Sequence, residues 1–180
     1  NKMNTQITVK APATTANLGP GFDCLGMALD LWNKTTFEVI DQSQNIIIIS
    51  GEGKNKISEN PDNLILKSFQ IPFYKANLAP PIVKITCYNE IPIGKGLGSS
   101  SAAIVSGLIA GNEISGKKLT KYDLIELANS LEGHPDNISA AILGGCQITI
   151  QERARLISSN ISISDKISTI LFIPDIHVST

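Results

Sequence analysis

The period of hydrophobic and polar positions changes along the chain and separates strand-like from helix-like segments. QITVKA (6–11) alternates and predicts a β-strand. NKTTFEVI (33–40) and NIIIIS (45–50) are rich in β-branched residues and flank the polar DQSQ, so they predict a hairpin. PATTANLGPGFDCLGMALD (12–30) is rich in glycine and short polar residues and predicts a long loop. Long loops within compact domains usually have a functional role. PIVKITCYNEI (81–91) predicts another strand.

Helical periodicity marks three further segments. PDNLILKSFQIPFYKAN (61–77) predicts an amphipathic helix that Pro72 should bend or interrupt. TKYDLIELANSLEG predicts a helix from the N-cap Thr120, with Asp123 completing a variant of the capping box, to the stop at Gly133. NISAAIL, just after it, predicts a second short helix.

The last part of the chain returns to strand character. CQITI (146–150) predicts a strand, QERARLISSNISISD (151–165) a polar connection, and KISTILFIP (166–174) a further strand. A β-rich first half and a helix-rich middle favour an α+β domain with a mainly antiparallel sheet. With 180 residues, the sequence is long enough for one large domain, or for one domain and part of a second.

The charge balance limits the classes of partner. Lysine and arginine number 15 against 16 acidic residues, so no net field is available for a nucleic acid or an anionic membrane. No run reaches the roughly 18 to 20 apolar residues of a membrane span, and the polar start NKMNTQ lacks the apolar core of a secretory signal, so we expect a cytoplasmic protein. Cys24, Cys87 and Cys146 are far apart, which disfavours a disulfide framework or a zinc site and predicts buried small side chains.

Candidate chemistry is concentrated in IPIGKGLGSSSAAIVSGLIAG (91–111). Glycines before a helix let a phosphate approach the unpaired amides and the positive end of the helix dipole, and serines add hydroxyls that can bind phosphate or a metal ion. The alternative is a tight turn followed by a buried, closely packed helix. The spacing matches neither the GxxxxGK[ST] loop nor the GxGxxG dinucleotide fingerprint.

PIGKGLGSSSAA (92–103) resembles the PxxxGLGSSAA signature of the GHMP small-molecule kinases, and PATTANLGPGFDCLGMAL and LEGHPDNISAAILGG resemble two motifs of the branch that phosphorylates homoserine. The resemblance covers essentially the whole chain. It implies a GHMP kinase N-terminal domain of the ribosomal protein S5 domain 2-like type at 1–156, which would bind ATP. It also implies the beginning of a ferredoxin-like C-terminal domain at 157–180.

The resemblance implies a role for each matching residue. The expected ATP contacts are Asn63, Pro92, Gly94, Lys95, Gly96, Leu97, Gly98, Ser99, Ser100 and Ser101. The expected magnesium ligands are Ser100 and Glu132, with Glu126 as the alternative carboxylate. The expected substrate contacts are Asn17, Asp23, His134, Asn137 and Thr180. Asn137, which would orient the acceptor hydroxyl, and Lys95, which would stabilise the transferred phosphoryl group, are the expected catalytic residues.

Local readings without chemistry stay open for several of these residues. Asn17 and Asp23 could only shape an Asx turn, Asn63 could be an N-cap, Glu132 could be a solvated side chain, and His134 could be structural or orient the substrate. Arg153 and Arg155 are expected at the surface and do not replace substrate-binding arginines.

The implied reaction is transfer of phosphate from ATP, with Mg²⁺, to the hydroxyl of L-homoserine, which gives O-phospho-L-homoserine in threonine biosynthesis. The expected partners are small molecules, without nucleic acid or membrane, and a homodimer is compatible with the sequence. The alternatives are a GHMP kinase of another small alcohol such as mevalonate and, for this stretch alone, a nucleotide-binding module without turnover. A structural or nucleic-acid-binding domain of similar fold is disfavoured by the charge balance.

Overall fold

One sheet forms the centre of the fold and has the strand order β3-β4-β2-β5-β6, with β1 paired to β2. The structure, a computed structural model, describes residues 6–153, 155–164 and 166–174. The strands are β1 (Gln6–Leu18), β2 (Gly21–Val39), β3 (Ile46–Gly51), β4 (Val83–Asn89), β5 (Cys146–Glu152) and β6 (Arg155–Ile161). The helices are α1 (Leu64–Lys75), α2 (Ser99–Ile114), α3 (Lys121–Glu132) and α4 (Pro135–Leu143). All strand pairs are antiparallel except β3 with β4, which confirms a mainly antiparallel α+β domain.

The glycine-rich stretch 12–30 is not a loop, and that prediction was wrong. It forms most of a long hairpin in which β1 and β2 pair antiparallel around a tight turn that begins at Gly19 (φ 56°). Gly26 shows why a glycine lies within β2: a Cβ there would be 2.1 Å from the Asp136 carbonyl oxygen. The absence of a side chain at this position therefore lets α4 approach the sheet, which brings α4 next to β1 and β2.

The predicted hairpin between 33–40 and 45–50 is also wrong. β4 separates β2 from β3: it pairs antiparallel with β2 and parallel with β3. A parallel pair needs a crossover connection, and here residues 52–82, which include α1, form that connection between β3 and β4. The strand at 81–91 is confirmed as β4.

The three predicted helices are confirmed, and α1 runs through Pro72 without interruption. Thr120 caps α3, its hydroxyl accepts from the Asp123 amide, and Gly133 ends the helix with φ 80°. Helices α1 and α2 cover the sheet, where Phe37 of β2 stacks on Phe69 of α1 with ring centroids 5.3 Å apart. None of the helices in the described ranges is long and apolar enough to cross a bilayer.

The end of the chain differs from the prediction. The expected polar connection 151–165 contains β6, which pairs with β5 from Cys146↔Ile161 to Glu152↔Arg155. The expected strand 166–174 is not a strand, because no other described segment pairs with it. The predicted boundary between residues 156 and 157 falls within β6, and the division into two domains stays a prediction.

Candidate active site

The turn before α2 leaves the start of that helix open to an anion. We call residues 92–98 the glycine loop; its glycines Gly94, Gly96 and Gly98 have φ values of 68°, 70° and 65°. Gly98 is the N-cap residue of α2, and no side chain caps the helix. Helix α2 has 16 residues, so its N-terminus carries the full partial positive charge of a helix dipole. The loop and the helix start therefore suit a phosphate group.

β1 holds the glycine loop in place. The Thr14 backbone amide donates to the Leu97 carbonyl oxygen at 3.1 Å. Directly beside it, a Cβ on Gly98 would lie 2.0 Å from the Thr14 hydroxyl oxygen, so only glycine fits there without a shift. The Asn33 side-chain oxygen accepts from the amides of Glu90 and Ile91 at 2.9 and 3.0 Å, which fixes the chain just before the loop.

Glu132 joins the end of α3 to the start of α2. Its carboxylate accepts hydrogen bonds from the hydroxyls of Ser100 and Ser101, the second at 2.7 Å. Glu126 lies on the same helix but is exposed and lines a different cavity, between α3 and the turn from β5 to β6. Of the two carboxylates considered for a metal ion, the structure thus brings Glu132, and not Glu126, to Ser100.

Asn137 lies in the first turn of α4 and faces the same region. Its Oδ1 accepts from the Thr14 hydroxyl at 2.8 Å. The buried carboxylate of Asp136 accepts from the Asn137 backbone amide at 2.7 Å. His134 precedes this helix as its N-cap residue, is exposed and makes no side-chain capping bond.

A cavity of about 480 Å³ connects these groups. Most of the predicted residues line it, namely Asn63, Pro92, Gly94, Gly96, Leu97, Gly98, Ser99, Ser100, Glu132, His134 and Asn137. Lys95, Ser101 and Asp23 are not among its lining residues; Lys95 Nζ donates to the Pro174 carbonyl oxygen at 2.8 Å, and Asp23 is exposed with φ 57°. Thr180 lies outside the described residues, and so does the side chain of Asn17.

Comparisons with known proteins show the family of this chain. The GHMP kinases N terminal domain family model matches residues 63–145, which include the glycine loop, Glu132 and Asn137. The chain is 39% identical over 176 residues to the homoserine kinase of Microchaete diplosiphon, covering 98% of this chain and 57% of that protein. This chain belongs to the GHMP kinase family. It spans little more than half the length of the curated relatives that it matches.

Solved structures of GHMP kinases share the fold. The homoserine kinase from Cytophaga hutchinsonii superposes with a TM-score of 0.79 at 26% identity, covering 91% of this chain and 54% of that structure. The Methanococcus jannaschii mevalonate kinase superposes with a TM-score of 0.67 at 18% identity, covering 88% and 56%. At that identity the mevalonate kinase shows the fold alone.

Within this GHMP kinase domain, Asn63 is an N-cap. Its side-chain oxygen accepts from the amides of Ile65 (2.9 Å) and Leu66 (3.4 Å), and its nitrogen donates to the Ser58 carbonyl oxygen. The side chain is buried, at 3% exposure, and starts α1. The local reading of Asn63 is therefore correct, and a contact with ATP stays a prediction.

Sequence reasoning missed Thr14 and Asn33, the two buried polar side chains that support the loop. Thr14 lies in β1 and Asn33 in β2, and their side chains bond to Asn137 and Glu90, which are 123 and 57 residues away in the sequence. Their only sequence signal is a polar residue on the inward side of a strand. That signal could not be used for Thr14, because the stretch around it predicted a loop.

The cysteines of this domain take no part in the site. Cys87 and Cys146 are buried as predicted, whereas Cys24 is only half-buried. Burial raises the pKa of Cys87 to about 11, so its thiol stays protonated at neutral pH. Arg153 and Arg155 are exposed, as expected.

Proposed function

We propose that the protein containing this chain transfers the γ-phosphoryl group of ATP to the hydroxyl of L-homoserine. The product is O-phospho-L-homoserine, an intermediate of threonine biosynthesis. One observation carries this proposal: the open N-terminus of α2, the Glu132 carboxylate and the Asn137 amide all line one cavity. The relatives that match over nearly the whole chain and are named homoserine kinase support the choice of acceptor.

On the nucleotide side, the glycine loop and the first amides of α2 hold the phosphates. Three glycines with positive φ at alternate positions expose the backbone, and Ser99 and Ser100 line the same space. Lys95 contributes its positive charge near the transferred group. Its ammonium group donates to the Pro174 carbonyl oxygen and, in ATP-bound protein, would donate to a phosphate oxygen.

The residues at Glu132 fit a magnesium ion. A carboxylate with two hydroxyls provides the oxygen atoms that this hard cation prefers, and magnesium is commonly bound by one or two carboxylates together with phosphate oxygens. Glu132 and Ser100 would hold it. When bound, Mg²⁺ supplies charge neutralisation for the phosphates.

On the acceptor side, Asn137 orients the hydroxyl that attacks. The acceptor oxygen bonds to the γ-phosphorus, the bond from that phosphorus to the β–γ bridging oxygen breaks, and ADP leaves with the electron pair. The hydroxyl proton passes to the phosphoryl product or to solvent. An amide cannot take a proton at neutral pH, and a loose transition state depends on position and charge more than on a strong base.

The proposed acceptor site also contains His134, Asn17, Asp23 and Thr180. His134 lines the cavity next to Asn137 and is suited to orient a polar substrate. Asp23, as a carboxylate, would attract the amino group of homoserine. We also propose that the whole protein has the two domains predicted from the sequence. Residues beyond this chain would then complete the acceptor site.

The deciding experiment measures ADP release by the full-length protein with Mg-ATP and one of four additions: L-homoserine, mevalonate, galactose or buffer. We expect release with L-homoserine alone. ADP release with another acceptor would support the proposed phosphate site and contradict L-homoserine as the acceptor. Tight ATP binding without turnover on any acceptor would favour a nucleotide-binding module instead.

Asn137→Ala then tests the acceptor side of the site. Loss of the amide should reduce kcat strongly while the KM for ATP changes little, because the α2 N-terminus is left intact. Wild-type kcat in this variant would remove Asn137 from the proposed mechanism.

A further inference from the structure

One hydroxyl connects the two sides of the cavity. Thr14 is fully buried, at 0% exposure, and its hydroxyl donates to Asn137 Oδ1 at 2.8 Å. The same oxygen atom lies directly against Gly98, and the Thr14 backbone amide binds the Leu97 carbonyl oxygen. Thr14 therefore contacts the glycine loop, where the nucleotide phosphates are proposed to bind, and also the side chain proposed to contact the acceptor.

The neighbours of Asn137 determine which way its amide points. An amide oxygen only accepts hydrogen bonds and an amide nitrogen only donates them. Oδ1 is paired with the Thr14 hydroxyl, and Nδ2 is 3.4 Å from Asp136 Oδ1. Reversing the amide would bring its oxygen next to the carboxylate oxygen of Asp136, so two acceptors would face each other. The Asp136 carboxylate thus selects the orientation, and the Thr14 hydroxyl, which can donate or accept, holds the amide oxygen in it.

We propose that Thr14 is a positioning residue that fixes Asn137 with its amide nitrogen, and not its oxygen, toward the acceptor hydroxyl. This inference rests on the proposed function, in which Asn137 contacts that hydroxyl. The nitrogen donates to the acceptor oxygen and leaves a lone pair of that oxygen for the attack on phosphorus. The hydroxyl proton then has no acceptor on Asn137, so this side chain contributes orientation and no proton removal.

The kinetic test uses the full-length protein and compares Thr14→Val, which removes the hydroxyl, with Thr14→Ser, which keeps it. In Thr14→Val we expect kcat to fall by about 10-fold to 100-fold, because Asn137 Oδ1 loses its donor and the amide loses its fixed orientation. The KM for ATP should stay within about twofold. Thr14→Ser should keep at least about half of the wild-type kcat, since its hydroxyl can make the same bond.

Thr149→Val is the matched control. Thr149 is a buried threonine of β5 whose hydroxyl is 3.0 Å from the Ser158 hydroxyl, away from the cavity. Its kcat should stay within about twofold of wild type. If Thr14→Val does not fold, as judged by thermal unfolding, Thr14→Ala replaces it in the same comparison. Wild-type kcat in the hydroxyl-free variant, or equal losses in Thr14→Ser and Thr14→Val, would overturn the proposal.

A second readout needs no acceptor and separates this inference from the proposed function. The side-chain amide signals of Asn137 in ¹H–¹⁵N NMR spectra are assigned by their loss in Asn137→Ala. In Thr14→Val these signals should shift and their protons should exchange faster with water, whereas Thr14→Ser should leave them unchanged. If wild-type protein does not phosphorylate homoserine, the proposed function fails while this result still stands. Unchanged Asn137 signals in Thr14→Val would overturn the inference itself.

Discussion

The Glu132 carboxylate is the one acidic group that lines the cavity at the glycine loop, among the residues that the structure describes. Two serine hydroxyls donate to it, from the first turn of the helix whose N-terminus is proposed to hold phosphate. A carboxylate placed next to a phosphate site repels the phosphate unless a cation lies between them. This electrostatic argument supports a magnesium ion at Glu132 independently of any relative.

Replacing Glu132 with Gln removes that negative charge and keeps the shape of the side chain. We expect the apparent affinity for Mg²⁺ in the kinase reaction to fall by at least about tenfold. Substitution of residues that only hydrogen-bond to a metal ligand already lowers metal affinity by about that factor, and Glu132 is proposed as a ligand itself. Measuring activity against Mg²⁺ concentration at fixed ATP checks this. The matched control is Glu126→Gln, on the same helix but in another cavity, which should behave as wild type. Equal effects of the two substitutions would contradict the assignment to Glu132.

Alanine substitutions at Gly98 and Gly96 separate the cost of a steric clash from the cost of backbone strain. Both have positive φ, but an added Cβ meets the Thr14 hydroxyl at 2.0 Å only at Gly98, whereas nothing lies within 4 Å at Gly96. Gly96→Ala should destabilise by about 1 kcal/mol from the left-handed backbone alone. Gly98→Ala should cost roughly 1 to 3 kcal/mol more, because it also overpacks. Urea unfolding of both variants measures the difference, and equal losses would show that the clash relaxes without cost.

At the scale of elements, segments with local signals could be predicted, whereas segments that depend on distant partners could not. Both ends of α3 could be predicted because its N-cap, its capping box and its terminal glycine all lie within or next to the helix in the sequence. The β1–β2 hairpin was missed partly because the reason for Gly26 within β2 lies in α4, where the Asp136 carbonyl oxygen, 110 residues later, leaves no room for a Cβ. The position of β3 beside β4 depends on a crossover through α1 and has no local signal. Motif resemblance paired Ser100 with Glu132, which hydrogen-bond to each other and which a periodicity argument could not have brought together; their role as metal ligands stays a prediction.

The α3 capping box gives a prediction about stability and pH. Hydrogen bonds from the Thr120 side chain and backbone lower the pKa of Asp123. A carboxyl whose pKa is lowered on folding stabilises the fold above its unfolded pKa, and this contribution is lost as the pH falls through the folded pKa. Thr120→Ala should therefore cost about 1 kcal/mol at pH 7, and the difference from wild type should shrink in acid.

Urea unfolding at pH 7 and at several acidic pH values checks this prediction. Ser130→Ala on the same helix is the control, since its exposed hydroxyl donates only to the Leu127 carbonyl oxygen and its loss should change stability by less than about 0.5 kcal/mol. A cost for Thr120→Ala that is the same at every pH would show that Asp123 does not take part.

At the scale of the whole molecule, the described part of the chain ends in an apolar segment without a strand partner. Ile170 and Phe172 are 76% and 89% exposed, which is unusual for side chains of this type in an alternating strand-like sequence. The same segment reaches the glycine loop, where the Pro174 carbonyl oxygen accepts from Lys95. The chain spans 57% of the Microchaete diplosiphon relative, and we propose that the predicted second domain supplies a partner strand for this segment.

Hydrogen exchange of the full-length protein tests this arrangement together with the proposed second domain. If residues 166–174 pair with strands beyond this chain, their amides should exchange at least roughly a thousandfold more slowly than those of an unpaired loop. Residues 41–44, an exposed bend between β2 and β3, are the internal reference for fast exchange, and β4, which is paired on both sides, is the reference for slow exchange. Exchange in 166–174 as fast as in 41–44 would contradict a strand there and move the start of any second domain beyond residue 174.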